Sequence, residues 1–135
     1  MNDDKKPIKI GNYLEARLYE ENDQKYNVVE VMEDLKHGVV YEDVRAGIET
    51  YFKDYAKTLG GNIHIFDIDK VSAPLTYAFN AILQFNKIGK ANGYNQISII
   101  NCELEIYNFL ERLGANRTID IHTKFTNETS KYKLN

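Results

Sequence analysis

Two carboxylates, Asp67 and Asp69, close the apolar run Asn62-Ile63-His64-Ile65-Phe66-Asp67-Ile68-Asp69. If that run is a buried parallel strand, they stand at its C-terminal end, where open α/β sheets place their ligands. Two carboxylates there could hold magnesium for phosphoryl transfer. The plainer reading, a pair of water-exposed strand-end carboxylates, is preferred because no second acidic cluster or lysine signature accompanies them. Cys102 lies between a strand-like run and a helix, where a helix N-terminus can lower a thiol pKa. No histidine or basic residue adjoins it in sequence, so it lacks the partner that would make it a nucleophile. His37, His64 and His122 are scattered without ligand spacing and read as structural. Because His64 alternates with Ile63 and Ile65, it is expected on the opposite sheet face from them. Neither GxGxxG nor GxxxxGK[ST] occurs, so no phosphate-cradling loop is present. The chain is therefore read as non-enzymatic and without a cofactor.

A different chemistry is open to Ser72, Thr76 and Tyr77, which fall at or near the start of a helix. A phosphate on such a hydroxyl adds roughly −1.5 to −2 charges and can cap the helix or repel a docked acidic partner. Plain N-capping is the simpler role, above all for Ser72.

The elements that must position these residues follow from periodicity. The chain has 135 residues, 43% hydrophobic and 27% charged, which fits one globular domain. Ile8 to Tyr19 and Tyr26 to Met32 predict two strands joined by a polar turn, an antiparallel hairpin. Val44, Ile48, Tyr51, Phe52, Tyr55 and Leu59 share one face of a helix over 41–59 that stops at Gly60-Gly61. A buried strand follows at 62–69. The next helix spans 74–92, with Pro74 in its first turn and Leu75, Ala78, Phe79, Ile82, Phe85 and Gly89 on its buried stripe. Gln96 to Ile100 is another buried strand, 103–113 a third helix, and 118–122 a short last strand. The expected class is α/β: a mixed β-sheet in which an N-terminal antiparallel hairpin precedes parallel β-α units. Residues 1–7 and 126–135 read as loose ends flanking a domain over 8–125.

Charge and composition narrow the partners. A net charge of −3 disfavours nucleic acid, despite ten tyrosines and six phenylalanines. One cysteine allows no internal disulfide, no apolar run is long enough to span a membrane, and the start lacks the apolar core of a signal peptide. The cytoplasm is the expected compartment.

Several phrases resemble those of STAS domains, the fold of bacterial anti-sigma factor antagonists. Asn62 to Ile68 looks like that family's buried "hIvlDL" strand. Ile88-Gly89-Lys90-Ala91-Asn92-Gly93 resembles the end of its second helix, and Ile106-Tyr107-Asn108-Phe109-Leu110-Glu111-Arg112-Leu113-Gly114 its "lLe.tGl" helix and stop. The segment Glu33–Tyr41 and the helix after it stand where the family has its "GelD" segment and first helix. The likeness covers residues 8–125. It implies a non-catalytic regulator that binds a protein partner, such as an anti-sigma factor kinase or another protein that binds STAS domains, with a homodimer as a further option. Counting back from Gly93 sets Thr76 at the serine that the family phosphorylates. Pro74 and Tyr77 replace the family's Asp and Gly, so the switch itself departs from pattern. The resemblance makes Thr76 and Ser72 the phosphorylation candidates and Pro74, Leu75, Thr76, Tyr77 and Asn80 the partner-binding residues. Two alternatives stand beside it: a small-molecule-binding or enzymatic domain built on Asp67 and Asp69, and a structural subunit of a larger assembly.

Overall fold

The computed structural model describes residues 6–33, 41–71 and 75–123, with Leu75 and Thr76 described in their backbone alone. The expected sites at Ser72 and Pro74, His37, the ends 1–5 and 124–135, and the side chains of Leu75 and Thr76 lie outside the described residues.

The class is α/β with one six-stranded mixed sheet, whose spatial order is the chain order. Strands β1 (Ile8–Ile10), β2 (Leu14–Glu21) and β3 (Gln24–Val31) form an antiparallel meander. The single first strand expected over Ile8–Tyr19 is two strands, because Gly11 takes a left-handed φ of 67° and turns the chain back on itself. Asn22 and Asp23 both hold positive φ between Glu21 and Gln24, the two-residue hairpin geometry that matches strand twist. Strands β4 (Ile63–Asp67), β5 (Ile97–Cys102) and β6 (Asp120–Thr123) then add in parallel beside β3.

Helices connect the parallel strands: α1 (Tyr41–Thr50) continuing through a π-helical turn (Tyr51–Tyr55) into α2 (Ala56–Leu59), then α3 (Leu75–Ala91) and α4 (Leu104–Arg112). Each crossover steps to the next strand in one direction, so right-handed connections put every helix on the same face. The core confirms it. Val44, Ile48, Tyr51, Phe52, Ile82, Phe85, Ile106 and Leu110 from the helices pack with Leu14, Val29, Val31, Phe66 and Ile99 from alternate strand positions. The α3 stripe differs from the expected one in that Ala81 is buried whereas Phe79 is half-buried.

The π turn widens the first helix by one residue per turn, and Ala56 N–H bonds back to Tyr51 O, five residues away. Ala56 is thereby buried while Tyr55 and Leu59 are half-buried. The Ala56 carbonyl meets the buried Asn27 side chain, whose Nδ2 donates to it at 2.8 Å while Oδ1 accepts from Gly61 N at 2.8 Å. A Cβ at Gly61 would collide with Asn27, so only glycine lets the backbone approach this closely. His64, paired in register with Asn27, lies on the helix-covered face, opposite Ile63 and Ile65 as its alternation predicts. The Tyr51 hydroxyl is 2.7 Å from His64 Nδ1. Burial pushes the Tyr51 phenol up and holds His64 down at about 4. Both groups are therefore neutral at pH 7 and share one hydrogen bond within the covered core.

Candidate functional site

Three described elements meet at the C-terminal edge of the parallel strands: the turn after β4, the start of α3, and the β5–α4 junction. Asp67 fixes their relation. Its side chain is 2% exposed, so the expectation of a water-exposed strand-end carboxylate is wrong for this residue. Its Oδ1 accepts from Asp69 N at 3.1 Å and from Asn101 Nδ2 at 3.0 Å. The first bond is an Asx turn that starts the chain towards α3. Ile68 N donates to Ile100 O and Val71 N to Ile68 O, so the turn is also tied to β5 through the backbone. Asp69 itself is exposed.

Asn101 was not singled out from the sequence. It holds a left-handed φ of 61° and sits where the β5–β6 register shifts, between Ile99 and Cys102. This irregularity resets the two-residue alternation of β5. Asn101 reaches Asp67 on the helix-free face, and Cys102 turns into the core with no exposure. A buried thiol cannot reach a substrate, which removes Cys102 as a nucleophile despite its place before a helix. The available signal was an asparagine closing an apolar run, since asparagine tolerates left-handed backbone better than its neighbours.

On α3, Tyr77 is half-buried against the core and Asn80 is partly buried. The Tyr41 hydroxyl reaches Asn80 O at 3.4 Å, joining the first turn of α1 to α3. Burial raises the Tyr41 pKa, with the neighbouring Glu42 charge adding to it. Phe79 meets Phe109 of α4 edge to face at 5.7 Å, which sets α3 and α4 side by side. One residue stands out from this surface. Leu104, in the first turn of α4, is 63% exposed, and the sequence reading did not mark it. Glu103 and Glu105 flank it in sequence, and the β4–α3 turn at the same edge exposes Asp69 and Lys70. Glu105, in the first turn of α4, also complements the helix dipole.

A second polar group lies on β5 and β6. Ser98 Oγ donates to Asp120 Oδ2 at 2.6 Å, and His122 Nε2 is 3.0 Å from Asp120 Oδ1 without an aligned hydrogen bond. The carboxylate stands between hydroxyl and imidazole, so the ring cannot take the serine proton directly, and the group is not a nucleophile–base pair.

Among the described residues, no group of three or more His, Cys, Asp and Glu is placed to hold a metal ion. No helix among them is long and apolar enough to cross a membrane. No protein-family model matches the chain, and no curated protein matches it in sequence.

Proposed function

We propose that this chain is a non-catalytic regulatory domain that docks a protein partner where α3 and α4 begin, as STAS-type anti-sigma factor antagonists do. The observation that carries the reading is Leu104: a large apolar side chain held out to water in the first turn of α4, between Glu103 and Glu105. Such a knob suits an apolar pocket on the partner, where its burial would drive docking. The succession of an N-terminal meander and parallel β-α units agrees with the sequence resemblance. Thr76 belongs to the first turn of α3, so a phosphate there would bring a strongly hydrated charge to an apolar contact at the same edge and weaken docking. The reading of Asp67 and Asp69 as a ligand-holding pair has less support, because Asp67 already serves two donors of its own chain.

The test is affinity capture from lysate of the source cells, quantified by mass spectrometry, with the parent chain and three variants. Leu104→Glu and Thr76→Glu should each lose the captured protein, an affinity loss on the order of 1–3 kcal/mol, while Thr76→Ala retains it. Leu104→Glu should shift unfolding free energy by less than about 0.5 kcal/mol, as expected for an exposed site. Capture that is indifferent to Leu104→Glu would place the interface elsewhere. Co-elution of tagged with untagged copies would make a second copy of this chain the occupant.

A further inference from the structure

An asparagine followed by glycine is prone to intramolecular attack, because glycine puts no side chain in the way of its own nitrogen. Asn92-Gly93 is the chain's one Asn-Gly pair. Both residues are exposed at the end of α3. Among the described residues, chain neighbours aside, nothing lies within 4 Å of where a Cβ would stand on Gly93. Water therefore reaches the pair, and a ring has room to form. In the folded chain each reacting group is already held. Gly93 N, the nucleophile, donates to Lys90 O at 3.0 Å, and Tyr94 N donates to Gly89 O at 3.0 Å. With Gly93 at φ 91°, these two bonds make the Schellman cap of α3. Asn92 Nδ2, the leaving group, donates to Ile88 O at 2.8 Å. The Asn92 backbone N–H bonds back to Ile88 O and Gly89 O as well, so the whole residue is tied to the last turn.

We infer that Asn92-Gly93 is a latent deamidation site, closed by the cap of α3, opened by fraying of that helix end, and coupled to the core through Tyr94. In the opened state Gly93 N loses its proton to hydroxide and attacks Asn92 Cγ. The Cγ–Nδ2 bond breaks, and the amide nitrogen leaves as ammonia with a proton taken from water. Water then hydrolyses the succinimide at either carbonyl, giving aspartate or isoaspartate; nothing is oxidised or reduced. Neither product can restore the cap. A carboxylate has no proton to donate to Ile88 O, and it sets negative charge at the negative end of the helix dipole. Isoaspartate adds a carbon to the main chain ahead of Gly93, so the two cap bonds lose their spacing. Tyr94 follows directly, with its ring 4.6 Å from that of His64 and 5.6 Å from that of Phe52 between centroids. Deamidation thus frees Tyr94 from the buried Tyr51–His64 pair.

Peptide mapping by mass spectrometry of the full-length chain, held at mildly alkaline pH with and without guanidinium chloride, tests this. In denaturant Asn92 should convert faster than Asn95, which is followed by Gln96 rather than glycine. The folded chain should convert Asn92 at least about tenfold more slowly, by the factor that slows hydrogen exchange at the Gly93 N–H, because both need the same opening. Tyr94→Ala removes the ring that anchors the cap, so it should raise the folded-state rate and leave the denatured rate unchanged. In converted chain purified by ion exchange, nuclear Overhauser contacts between the Tyr94 and His64 rings should vanish. Those between the stacked Phe66 and Phe85 rings should persist. Equal rates with and without denaturant would show that the cap gates nothing. Conversion in denaturant no faster than that of Asn95 would remove the site itself. Folded-state protection that departs from the exchange factor would assign the slowing to something other than fraying. Tyr94–His64 contacts kept in the converted chain would overturn the coupling to the core.

Discussion

The two faces of this sheet bury residues for different reasons. On the covered face, three crossovers deliver a continuous aromatic and aliphatic layer, with Phe66 stacked on Phe85 at 4.4 Å between centroids and Phe52, Tyr51 and Tyr94 arrayed around His64. On the other face, among the described residues, Val28, Ile65 and Ile100 form the buried cluster, with charged and hydroxylated neighbours in register. Strand order is the cause. A sheet whose neighbours are always consecutive gains helices on one side alone, and its other side must be solvated or covered by something besides a crossover. Burial on the first face can be read from helical periodicity; burial on the second cannot.

The largest effect that sharpens this contrast comes from paired truncations. Phe85→Ala, which empties the centre of the helix-covered core, should cost about 3–5 kcal/mol in urea unfolding. Ile65→Ala on the helix-free face should cost about 2–4 kcal/mol, although no crossover packs on it. Were that face bare, Ile65→Ala would behave as a surface change within about 0.5 kcal/mol, and the distinction drawn from its burial would collapse.

Next in size is a pH effect confined to the covered face. His64 is held at about 4 by burial, below its ordinary 6.5. A base with a lowered folded-state pKa disfavours folding when protonated. Its contribution is therefore complete above pH 6.5, falls as pH drops from 6.5 towards 4, and is level below that. The loss should be on the order of 2 kcal/mol, discounted for solvent screening near the strand end. Unfolding free energies measured from pH 7 to 4 should show this slope, and His64→Gln, which keeps an acceptor for Tyr51, should flatten it. An unchanged slope in His64→Gln would assign the effect to other groups.

Sequence alone revealed what repeats with a fixed period. The stripes Val44–Ile48–Tyr51–Phe52 and Ile106–Leu110, the β4 and β5 runs and the Asn22-Asp23 turn were legible because each is a local pattern. The irregular points were not. Gly11 splits one apparent strand, the π turn at Tyr51–Tyr55 shifts burial from Tyr55 to Ala56, and Asn101 breaks the alternation that would have left Cys102 on the helix-free face. The latter two meet partners distant in sequence, Asn27 for Ala56 and Asp67 for Asn101. The candidate docking edge was legible only in outline. Tyr77 and Asn80 are on α3 as expected, whereas the exposure of Leu104 follows from how α4 seats Ile106 and Leu110, which no local pattern specifies.

The smallest predicted effect tests that last kind of feature, at Asn101. The residue does two things: it accepts a left-handed backbone at φ 61°, and it donates a hydrogen bond to the buried Asp67 carboxylate. Asn101→Gly keeps the first and removes the second, for about 1–2 kcal/mol, because the donor is neutral but the acceptor is charged and shielded from water. Asn101→Ala removes both and adds about 1 kcal/mol for placing a Cβ in the left-handed region. The difference between the two variants thus isolates the backbone contribution. Equal stabilities would mean that the β5 irregularity relaxes when the side chain is lost. Cys102 would then rotate towards the helix-free face and become reactive to thiol reagents in the folded protein, a second readout that needs no unfolding at all.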